Sequence, residues 1–345
     1  RWWNQTRTRS LILKQIIYIK QKLETMRNLN RYHKIAALLS LTFLSIQSFA
    51  QQDPQFTQYM YNMSVINPAY ATAEEGILNL GGLYRTQWVG LEGAPKTGSF
   101  FAHTPINDKI EMGISFTNDN IGDVVNENNI YADFAYVLPM GLDRGNLSFG
   151  LKAGFTFFNV NFDGFNLQSG SASTDVAFND NISQTFPNIG IGAFYYTDNY
   201  YVGLSAPNML STKHIETENG VKATGVQSIH YYLTGGYVFD INKDLKFKPA
   251  FMMKSVKGAP LALDITANIL INEKLEAGLG YRLDDAISGL VSFRVMPDLK
   301  IGYAYDFTTS NLGDYNSGSH EIFILFDLDT SNMSSKGYEK SPRFF

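Results

Sequence analysis

The stretch LKIGYAYDFT at residues 299–308 carries the pattern that decides the fold. Its odd positions are apolar or aromatic, and its even positions include Lys300 and Asp306, so polar and apolar side chains alternate with a period of two. This alternation predicts a β-strand with one apolar and one polar face. Residues 245–328 repeat the pattern as six consecutive strands separated by turns.

Strand length and turn spacing favour a membrane barrel over a soluble β-sandwich. The runs are about 9 to 11 residues long, which is the length of a tilted strand that crosses a bilayer. Short links such as Asn272-Glu273 and Met296-Pro297-Asp298 alternate with loops of which several are long. The polar face carries charged groups in mid-strand, which would be costly in a dry core. We therefore expect these charges to face a wet lumen and to remain hydrated.

Upstream of residue 245 the same pattern continues. It predicts strands at 77–89, 97–104, 110–116, 132–138, 147–157, 188–197, 200–206 and 229–239, with polar loops near 118–129 and 159–184. The predicted fold is therefore all-β: a transmembrane outer-membrane β-barrel of about 14 antiparallel strands over residues 77–328. An even number of strands places both ends of the barrel on the periplasmic side, with the short turns.

The first fifty residues are not expected to belong to the barrel. Residues 26–50 have the features of a signal peptide, with basic Arg27, Arg31 and Lys34, an apolar run at 35–46, and Ser48-Phe49-Ala50 as the cleavage site. Residues 1–25 are basic and lack an initial methionine, and we interpret them as a mistaken upstream extension of the reading frame. Export to the outer membrane with cleavage before Gln51 is the expectation.

Composition excludes several classes of protein. Of 28 basic and 32 acidic residues, nine and one respectively lie in the first fifty positions, which leaves 19 and 31 and a net charge near −12. Binding to nucleic acid is therefore not expected. The chain has no cysteine and hence neither disulfides nor thiolate metal sites. No charge-free apolar stretch of about 18 residues is present, which excludes a helical membrane protein.

A barrel of fourteen strands encloses space that side chains of the wall alone do not fill. Residues 51–76 precede the first strand and mix Tyr, Met, Asn and Pro, and we expect them to form an N-terminal plug or a periplasmic segment. Residues 329–345 are expected to be a periplasmic tail or a docking peptide. Tyr195, Tyr196, Tyr200 and Tyr201 lie near strand ends, as in an interfacial girdle, although β-propensity alone also explains them.

Three motifs carry a resemblance to a known family. They are DPQFTQYMYNMSVINPAYA at 53–71, YRTQWVGLEGAPKT at 84–97 and SPRFF at 341–345. Together they resemble the PorP/SprF family of outer-membrane proteins of Bacteroidota, which are associated with type IX secretion and gliding motility. Family members often have Gly after NPAYA, where this chain has Thr72.

The resemblance implies a non-enzymatic barrel that binds the C-terminal sorting domain of a secreted adhesin. Such a protein supports secretion of the adhesin or anchors it at the cell surface, and it is embedded in outer-membrane lipids. One alternative is a scaffold that links the secretion machinery to periplasmic ring or peptidoglycan-binding proteins. A second alternative is a passive outer-membrane pore. The sequence does not choose between them.

The candidate functional residues fall into three groups. Arg85 and Gln87 are predicted to point into the lumen by strand parity, where Arg85 would bind a carboxylate or main-chain carbonyls of the N-terminal plug. The motif residues are interpreted either as anchors of the plug or as direct contacts with the partner. The plug group contains Asp53, Pro54, Phe56, Tyr59, Met60, Asn67, Pro68, Ala69 and Tyr70; the first-hairpin group contains Arg85, Gln87, Trp88, Gly90, Gly93 and Pro95; and the partner-binding loops contain Gly164, Asn166, Asp180, Asn208 and His214.

Signs of catalytic or metal chemistry are sparse, and no cofactor, metal site or catalytic residue is predicted. His103, His214, His230 and His320 lack metal-ligand spacing. The stretch 118–123 is similar to part of a calcium loop but has Ile130 at the twelfth position, where glutamate would bind. A lipid hydrolase using His230 or His320 would need a serine within hydrogen-bond reach, and nothing in the sequence marks one.

Overall fold

A computed structural model describes residues 54–72, 76–122, 124–141, 145–162, 166–167, 170–171, 181–210 and 228–330. The predictions for residues 1–53 and 331–345, including the signal peptide and most of the tail, lie outside the described residues. Within the described ranges, no helix is both long and apolar enough to cross a membrane.

Strands make up most of the described chain. They are β1 Ile77–Thr86, β2 Lys96–Asn107, β3 Ile110–Ile121, β4 Val125–Pro139, β5 Asn146–Val160, β6 Asn166–Leu167, β7 Gly170–Ser171, β8 Ile182–Tyr196, β9 Tyr200–Ala206, β10 His230–Tyr237, β11 Phe239–Asn242, β12 Leu245–Val256, β13 Ala262–Ile271, β14 Leu275–Arg282, β15 Ala286–Met296, β16 Leu299–Thr308 and β17 Ser319–Asp329. The short helices are Tyr59–Tyr61, Met63–Ile66 and Asn311–Tyr315.

One antiparallel sheet closes on itself as a barrel. Chain neighbours pair in order, β1 pairs with β17, and β5 pairs with β8 across a loop that contains the separate hairpin β6–β7. Strand β10 pairs with both β9 and β12, which completes the circle. Because β10 and β11 are consecutive parts of one strand along β12, the barrel has fourteen strands, and the predicted number is confirmed.

The break between β10 and β11 has a local cause. The ladder with β12 runs to Gly236 opposite Ala250 and resumes at Phe239 opposite Phe247, so Pro249 lies at the gap. Proline has no main-chain N–H and cannot complete a ladder of hydrogen bonds. On the other side of the strand, the ladder with β9 continues past this break, because the N–H of Val238 donates to the carbonyl of Asn199 at 2.7 Å.

The two faces of the wall differ in polarity as the alternation predicts. Leu279 is 69% exposed on the outer face, whereas Lys300 and Asp306 on the inner face are buried. The expectation that inner charges stay hydrated in a wet lumen is wrong for the described structure. They are buried because residues 54–72 lie against them, and they form ion pairs with one another.

Aromatic rings form a belt on the outer face near the short turns. Ring centroids 4.2–6.1 Å apart connect Tyr195, Tyr200, Tyr237, Phe239 and Phe247 across neighbouring strands. Such rings suit the interface between membrane and water. Tyr196 and Tyr201 are not part of this belt, because the next position in a strand points to the opposite face, and both are buried inside the barrel.

The prediction of a loop at 118–129 is wrong, because this polar stretch belongs largely to β3 and β4. Their ladder continues to Ile121 opposite Val125. Four asparagine side chains on the outer face form a closed ring of hydrogen bonds, at 2.5–2.8 Å, in which each amide donates to the next: Asn118, Asn128, Asn126 and Asn120. These amides replace apolar residues where the hairpin extends beyond the apolar belt.

Candidate functional site

The N-terminal segment, residues 54–72, lies against the inner face of the wall. Its apolar residues Phe56, Tyr59, Met60 and Tyr61 are at most 5% exposed. Tyr61 stacks on Phe323 of β17, with ring centroids 4.2 Å apart. The segment is too short for a stable core of its own, so its two short helices depend on this burial.

The first group of wall charges holds the beginning of the segment. Arg85 lies 2.7 Å from Asp306 and 3.3 Å from Glu321, and all three side chains are at most 2% exposed. Glu321 accepts the main-chain N–H groups of Thr57 and Gln58, at 2.8 and 2.7 Å. The Thr57 hydroxyl accepts from Arg85 and donates to Asp306, both at 2.7 Å. The segment therefore completes the hydrogen bonding of a buried ion cluster.

This cluster continues toward the neighbouring strands. Arg282 lies 3.8 Å from Asp306 and 2.5 Å from Asp264. Arg282 also lies 3.4 Å from Asp285, so four carboxylates contact the two guanidinium groups. The N–H groups of Thr57 and Gln58 stabilise one of these carboxylates, Glu321, because charge-assisted hydrogen bonds favour a buried carboxylate.

A second group of charges contacts the middle of the segment. Glu276 lies between Lys248 at 3.0 Å and Lys300 at 2.9 Å. The Lys300 ammonium also donates to the Tyr61 hydroxyl at 3.2 Å and lies 4.5 Å from the centroid of its ring. Burial raises the pKa of Tyr61 well above its usual value, so the phenol stays neutral as an acceptor for Lys300.

The end of the segment is held mainly through its main chain. Lys152 lies 3.3 Å from Asp133 and donates to the carbonyls of Ser64 and Val65, at 3.4 and 3.1 Å. The Ser205 hydroxyl donates to the Ile66 carbonyl at 2.9 Å. On β3, two strands away from Lys152, Glu111 accepts the N–H of Thr72 at 3.0 Å and lies 3.4 Å from His103.

The Asn67-Pro68-Ala69 motif lies against glycines of three neighbouring strands. The Asn67 amide donates to the Ala193 carbonyl at 3.1 Å, and its oxygen accepts the N–H of Ala69 at 2.9 Å. A side chain on the wall would occupy this space: a Cβ on Gly192 would lie 2.0 Å from the Asn67 oxygen, and one on Gly150 would lie 2.2 Å from Pro68. Gly203 completes this glycine cradle, formed by Gly150, Gly192 and Gly203.

Two cavities adjoin the N-terminal segment. The first is lined by Tyr61 and Tyr70 of the segment and by wall residues near the short turns, including Asp298, Lys300 and Asp327. The second is lined by Phe56 and by residues at the ends of strands near the longer loops. Since short turns mark the periplasmic end of an outer-membrane barrel, we call these the periplasmic and the outer cavity.

The first hairpin, 87–95, is held on both sides. Trp88 has a positive φ of 46°, and its N–H donates to the Ser319 hydroxyl at 3.1 Å. Gly90 and Gly93 also have positive φ, and Gly93 accepts the N–H of Gly122 at 2.8 Å. Pro95 accepts the N–H of Gln87 at 2.9 Å. These bonds fix the connection to the neighbouring loops at the outer end of the barrel.

The structure brings the predicted plug residues and Arg85 together and leaves the loop residues apart. Arg85 does point inward, but it binds carboxylates of the wall and a hydroxyl of the segment. Gln87 lies 3.5 Å from Gln55, and Asn208 lines the outer cavity. Asp53, Gly164, Asp180 and His214 lie outside the described residues, and only the strand pairing of Asn166 is described.

Sequence reasoning missed the wall residues that hold the segment and the wall charges that pair with them. They are Glu111, Lys152, Lys248, Asp264, Glu276, Arg282, Lys300, Asp306 and Glu321, together with the glycine cradle. Strand parity marks all these charged residues as inward-facing, so the signal was present. The pairing of particular charges depends on the order and register of strands far apart in sequence.

In the described structure, the histidines lie far from one another, and the side chains of the calcium-like stretch 118–123 point to both faces of the wall. His103 and His230 are buried inside the barrel, whereas His320 lies on the outer face, where its ring nitrogen is 2.6 Å from the Tyr303 hydroxyl. In the calcium-like stretch, Asn118 and Asn120 belong to the outer asparagine ring, while Asp119 points inward and accepts from Thr97. Among the described residues, no three acidic or histidine side chains converge as metal ligands.

A closed barrel with an apolar outer face defines the class of outer-membrane-type β-barrel proteins. A family model described as type IX secretion system membrane protein PorP/SprF matches residues 48–326, and the chain belongs to this family. The resemblance found in the sequence motifs is thereby confirmed.

Comparison with curated proteins gives no match. Among solved structures, the chain is similar to a Pseudomonas aeruginosa FadL homologue, with 13% identity, coverage of 82% of this chain and 96% of that chain, and a TM-score of 0.44. The TodX deltaS2S3 mutant monoaromatic hydrocarbon channel is 12% identical, with coverage of 78% of this chain and 94% of that chain and a TM-score of 0.45. The Acinetobacter baumannii outer membrane protein Omp33 is 9% identical, with coverage of 74% of this chain and 100% of that chain and a TM-score of 0.43. Likenesses of this size carry no functional comparison.

Proposed function

We propose that this protein is a non-enzymatic, plugged barrel that binds the C-terminal sorting domain of a secreted adhesin. In this role it supports secretion of the adhesin or anchors it at the cell surface. Residues 54–72 act as the plug, and the partner binds at the outer end of the barrel. Membership in a family of type IX secretion membrane proteins supports this class of function.

The observation that carries the proposal is the attachment of the N-terminal segment inside the barrel. The segment is bound by the Glu321 cluster on one part of the wall and by Lys152 and the adjoining glycine cradle on another. A passive pore has no need to hold a segment across its lumen with buried ion pairs. A binding module gains from such a plug, because a filled lumen keeps the wall rigid and the membrane sealed.

The outer end offers a surface for a partner. Strands β4, β5 and β8 each contain fifteen residues, more than the roughly 9 to 11 that span a bilayer, so part of this wall extends beyond the apolar belt. Asn208 lies at the outer cavity beside this wall. We propose that Gly164, Asn166, Asp180, Asn208 and His214 belong to the loops that contact the sorting domain.

Affinity purification from the native outer membrane tests this proposal. A tagged chain is isolated in mild detergent, and the retained proteins are identified by mass spectrometry. We expect a large secreted protein with a C-terminal sorting domain. Retention of only periplasmic ring or peptidoglycan-binding proteins would contradict adhesin binding and would assign the protein to the scaffold of the machinery.

A loop replacement sharpens the result. Residues 164–180 are exchanged for a Gly/Ser linker of equal length, which leaves β5 and β8 joined. Heat-modifiable migration in gels verifies that the barrel is folded. The adhesin should be lost from the folded variant, and full retention would show that these loop residues do not bind it.

A further inference from the structure

Strand β8 has an open edge at the outer end of the barrel. The strand begins at Ile182, but β9 pairs with it only as far as Ile191, which lies opposite Ala206. On its other side, the ladder with β5 continues to Ile182 opposite Val160. Within the described structure, the outer part of β8 at 182–188 therefore has a neighbouring strand on one side alone.

The last main-chain bond beside the gap shows which groups face the open side. The carbonyl of Ile189 accepts the N–H of Met209 at 2.8 Å, so residue 189 points its main-chain groups towards the β9 side. Because this direction alternates along a strand, Ser183, Thr185 and Pro187 point theirs to the same side. In the part of the chain that the structure describes, the N–H groups of Ser183 and Thr185 have no hydrogen-bond partner.

The open edge is limited at the end nearer the membrane. There, the Asn188 side-chain oxygen accepts the N–H groups of Ile189 and Leu210, at 2.9 and 3.1 Å. Pro187 has no N–H and contributes only a carbonyl to the open side. We call residues 183–187 the β8 edge; Ser183 and Thr185 each present an N–H and a carbonyl on it, and Pro187 presents a carbonyl.

The β8 edge lies outside the apolar belt. On the outer face of the strand, the side chains change from Ile191 and Ile189, each 48% exposed, to exposed Pro187, Thr185 and Ser183. The edge therefore faces water on the extracellular side of the bilayer. The stretch ISQTFPN at 182–188 contains no charged residue, whereas natural edge strands are often protected from further pairing by charges.

The β8 edge also adjoins the proposed partner-binding loops. Along the chain, β8 follows directly from the loop 164–180, and Asn208 immediately precedes Met209, which binds Ile189. The intervening Phe186 is half-buried on the inner face. An extended peptide that pairs with a strand edge gains affinity from main-chain hydrogen bonds and specificity from alternate side chains. The chemistry of the β8 edge therefore fits an extended strand from a partner.

We infer that an extended segment of the secreted partner adds to the barrel wall as a further strand along the β8 edge. Its carbonyls accept the N–H groups of Ser183 and Thr185, and its own N–H groups donate to the carbonyls on this side. An apolar side chain of the segment packs beside Phe186. This inference rests on the proposed function, because it assigns the site and the mode by which the adhesin binds.

Amide hydrogen exchange of the purified chain tests the edge in the absence of the partner. The amides of Ser183 and Thr185 should exchange rapidly, because nothing pairs with them. Those of Gln184 and Phe186 point to β5 and should exchange about a hundredfold more slowly. Equal protection of all four amides would show that the chain itself covers the edge and would overturn the inference.

A proline on the β8 edge tests the added strand. Thr185→Pro removes the N–H on the open side and leaves the ladder with β5 in place, because that N–H does not belong to the ladder. Thr185→Val is the matched control, since it keeps the N–H and has nearly the same shape. In affinity purification from the native outer membrane, the adhesin recovered per folded barrel should fall about tenfold for the proline variant and stay unchanged for the valine variant.

The outcomes separate this inference from the proposed function. Full recovery of the adhesin by Thr185→Pro, with the barrel folded by heat-modifiable migration, would overturn the added strand and leave adhesin binding in place. Equal losses for the proline and valine variants would assign the contact to the Thr185 side chain and also overturn it. Failure of the unsubstituted chain to recover a secreted protein would contradict the proposed function and this inference with it.

Discussion

The Glu321 carboxylate accepts the main-chain N–H of Thr57 at 2.8 Å, across 264 positions of sequence. This bond joins the last strand of the barrel to a segment that precedes the first. Since Glu321 also lies 3.3 Å from Arg85, removal of its charge affects the wall and the segment together. The relation between Glu321 and Thr57 therefore suggests where the attachment of the segment is most sensitive to mutation.

Glu321→Gln should destabilise the folded barrel by about 1.5 to 3 kcal/mol, the value of hydrogen bonds to a charged group. The amide has about the same shape, but one of its ends is a donor that cannot accept the N–H of Thr57 or Gln58. Urea unfolding in detergent measures the change. Glu273→Gln, in an exposed turn, is the matched control and should change stability by less than about 0.5 kcal/mol. Equal stabilities for the two variants would contradict the assigned role of Glu321.

Gly192→Ala should displace the Asn67-Pro68 motif from its cradle. Its Cβ would lie 2.0 Å from the Asn67 oxygen, a distance that no relaxed structure keeps, so the motif or the strand must shift. We expect a loss of about 1 to 3 kcal/mol, typical of overpacking. Gly289→Ala is the matched control, because nothing lies within 4 Å of the added methyl group. Unfolding measurements in which both variants behave alike would show that the cradle does not hold the motif.

Ile265→Arg tests the membrane-facing surface. Ile265 lies in β13 on the outer face and is 47% exposed, so an arginine there should cost about 2 to 4 kcal/mol if the position is near the bilayer midplane. Ser183→Arg, on the outer face of β8 opposite Asn159 and further from the bilayer centre, should cost at most about 1 kcal/mol. The free energy of folding into lipid vesicles is measured for both variants. Equal costs would contradict the placement of the apolar belt.

On the inner face, the structure predicts that an introduced charge destabilises the barrel, whereas alternation alone predicted a wet lumen that would tolerate it. In a wet lumen, a charge introduced at Asn268 or Gly302 would have only a small effect on stability. Instead, Asn268 donates to Glu276 at 2.9 Å, and a Cβ on Gly302 would lie 2.1 Å from the Phe323 ring. Gly302→Asp should therefore destabilise the barrel as strongly as a lipid-facing charge, by about 2 kcal/mol or more. Urea unfolding that leaves Gly302→Asp within about 0.5 kcal/mol of the unsubstituted chain would contradict this packing.

Strand count and parity were predictable from the sequence because they depend on a local period of two, and the barrel architecture was predictable from strand length and turn spacing. Lys300 and Ile301 point to opposite faces of the wall because they are consecutive in one strand, whichever strands pair with it. The pairing of Arg85 with Asp306 and Glu321 was not predictable, since it requires the register of β1, β16 and β17 at once. Strand parity placed Arg85 inside but could not show that a segment would bury it and remove its water.

The long β3–β4 hairpin was missed for a related reason. Asn120 and Asn126 have low β-propensity, and a polar run of this kind is usually a loop. In the folded barrel their amides close a ring of hydrogen bonds across the two strands, which stabilises the ladder beyond the membrane. Only the pairing of the two strands shows this ring, and an isolated strand gives no sign of it.

Ionic conductance in planar bilayers tests most directly whether the segment closes the barrel. The chain is compared with a variant that lacks residues 54–72, and heat-modifiable migration verifies that both barrels are folded. The account predicts little conductance for the chain with its segment and a large stable conductance for the deletion variant. A combined Glu321→Gln and Gly192→Ala chain should show intermediate, fluctuating conductance. High, equal conductance with and without the segment would contradict the plug and favour a passive pore.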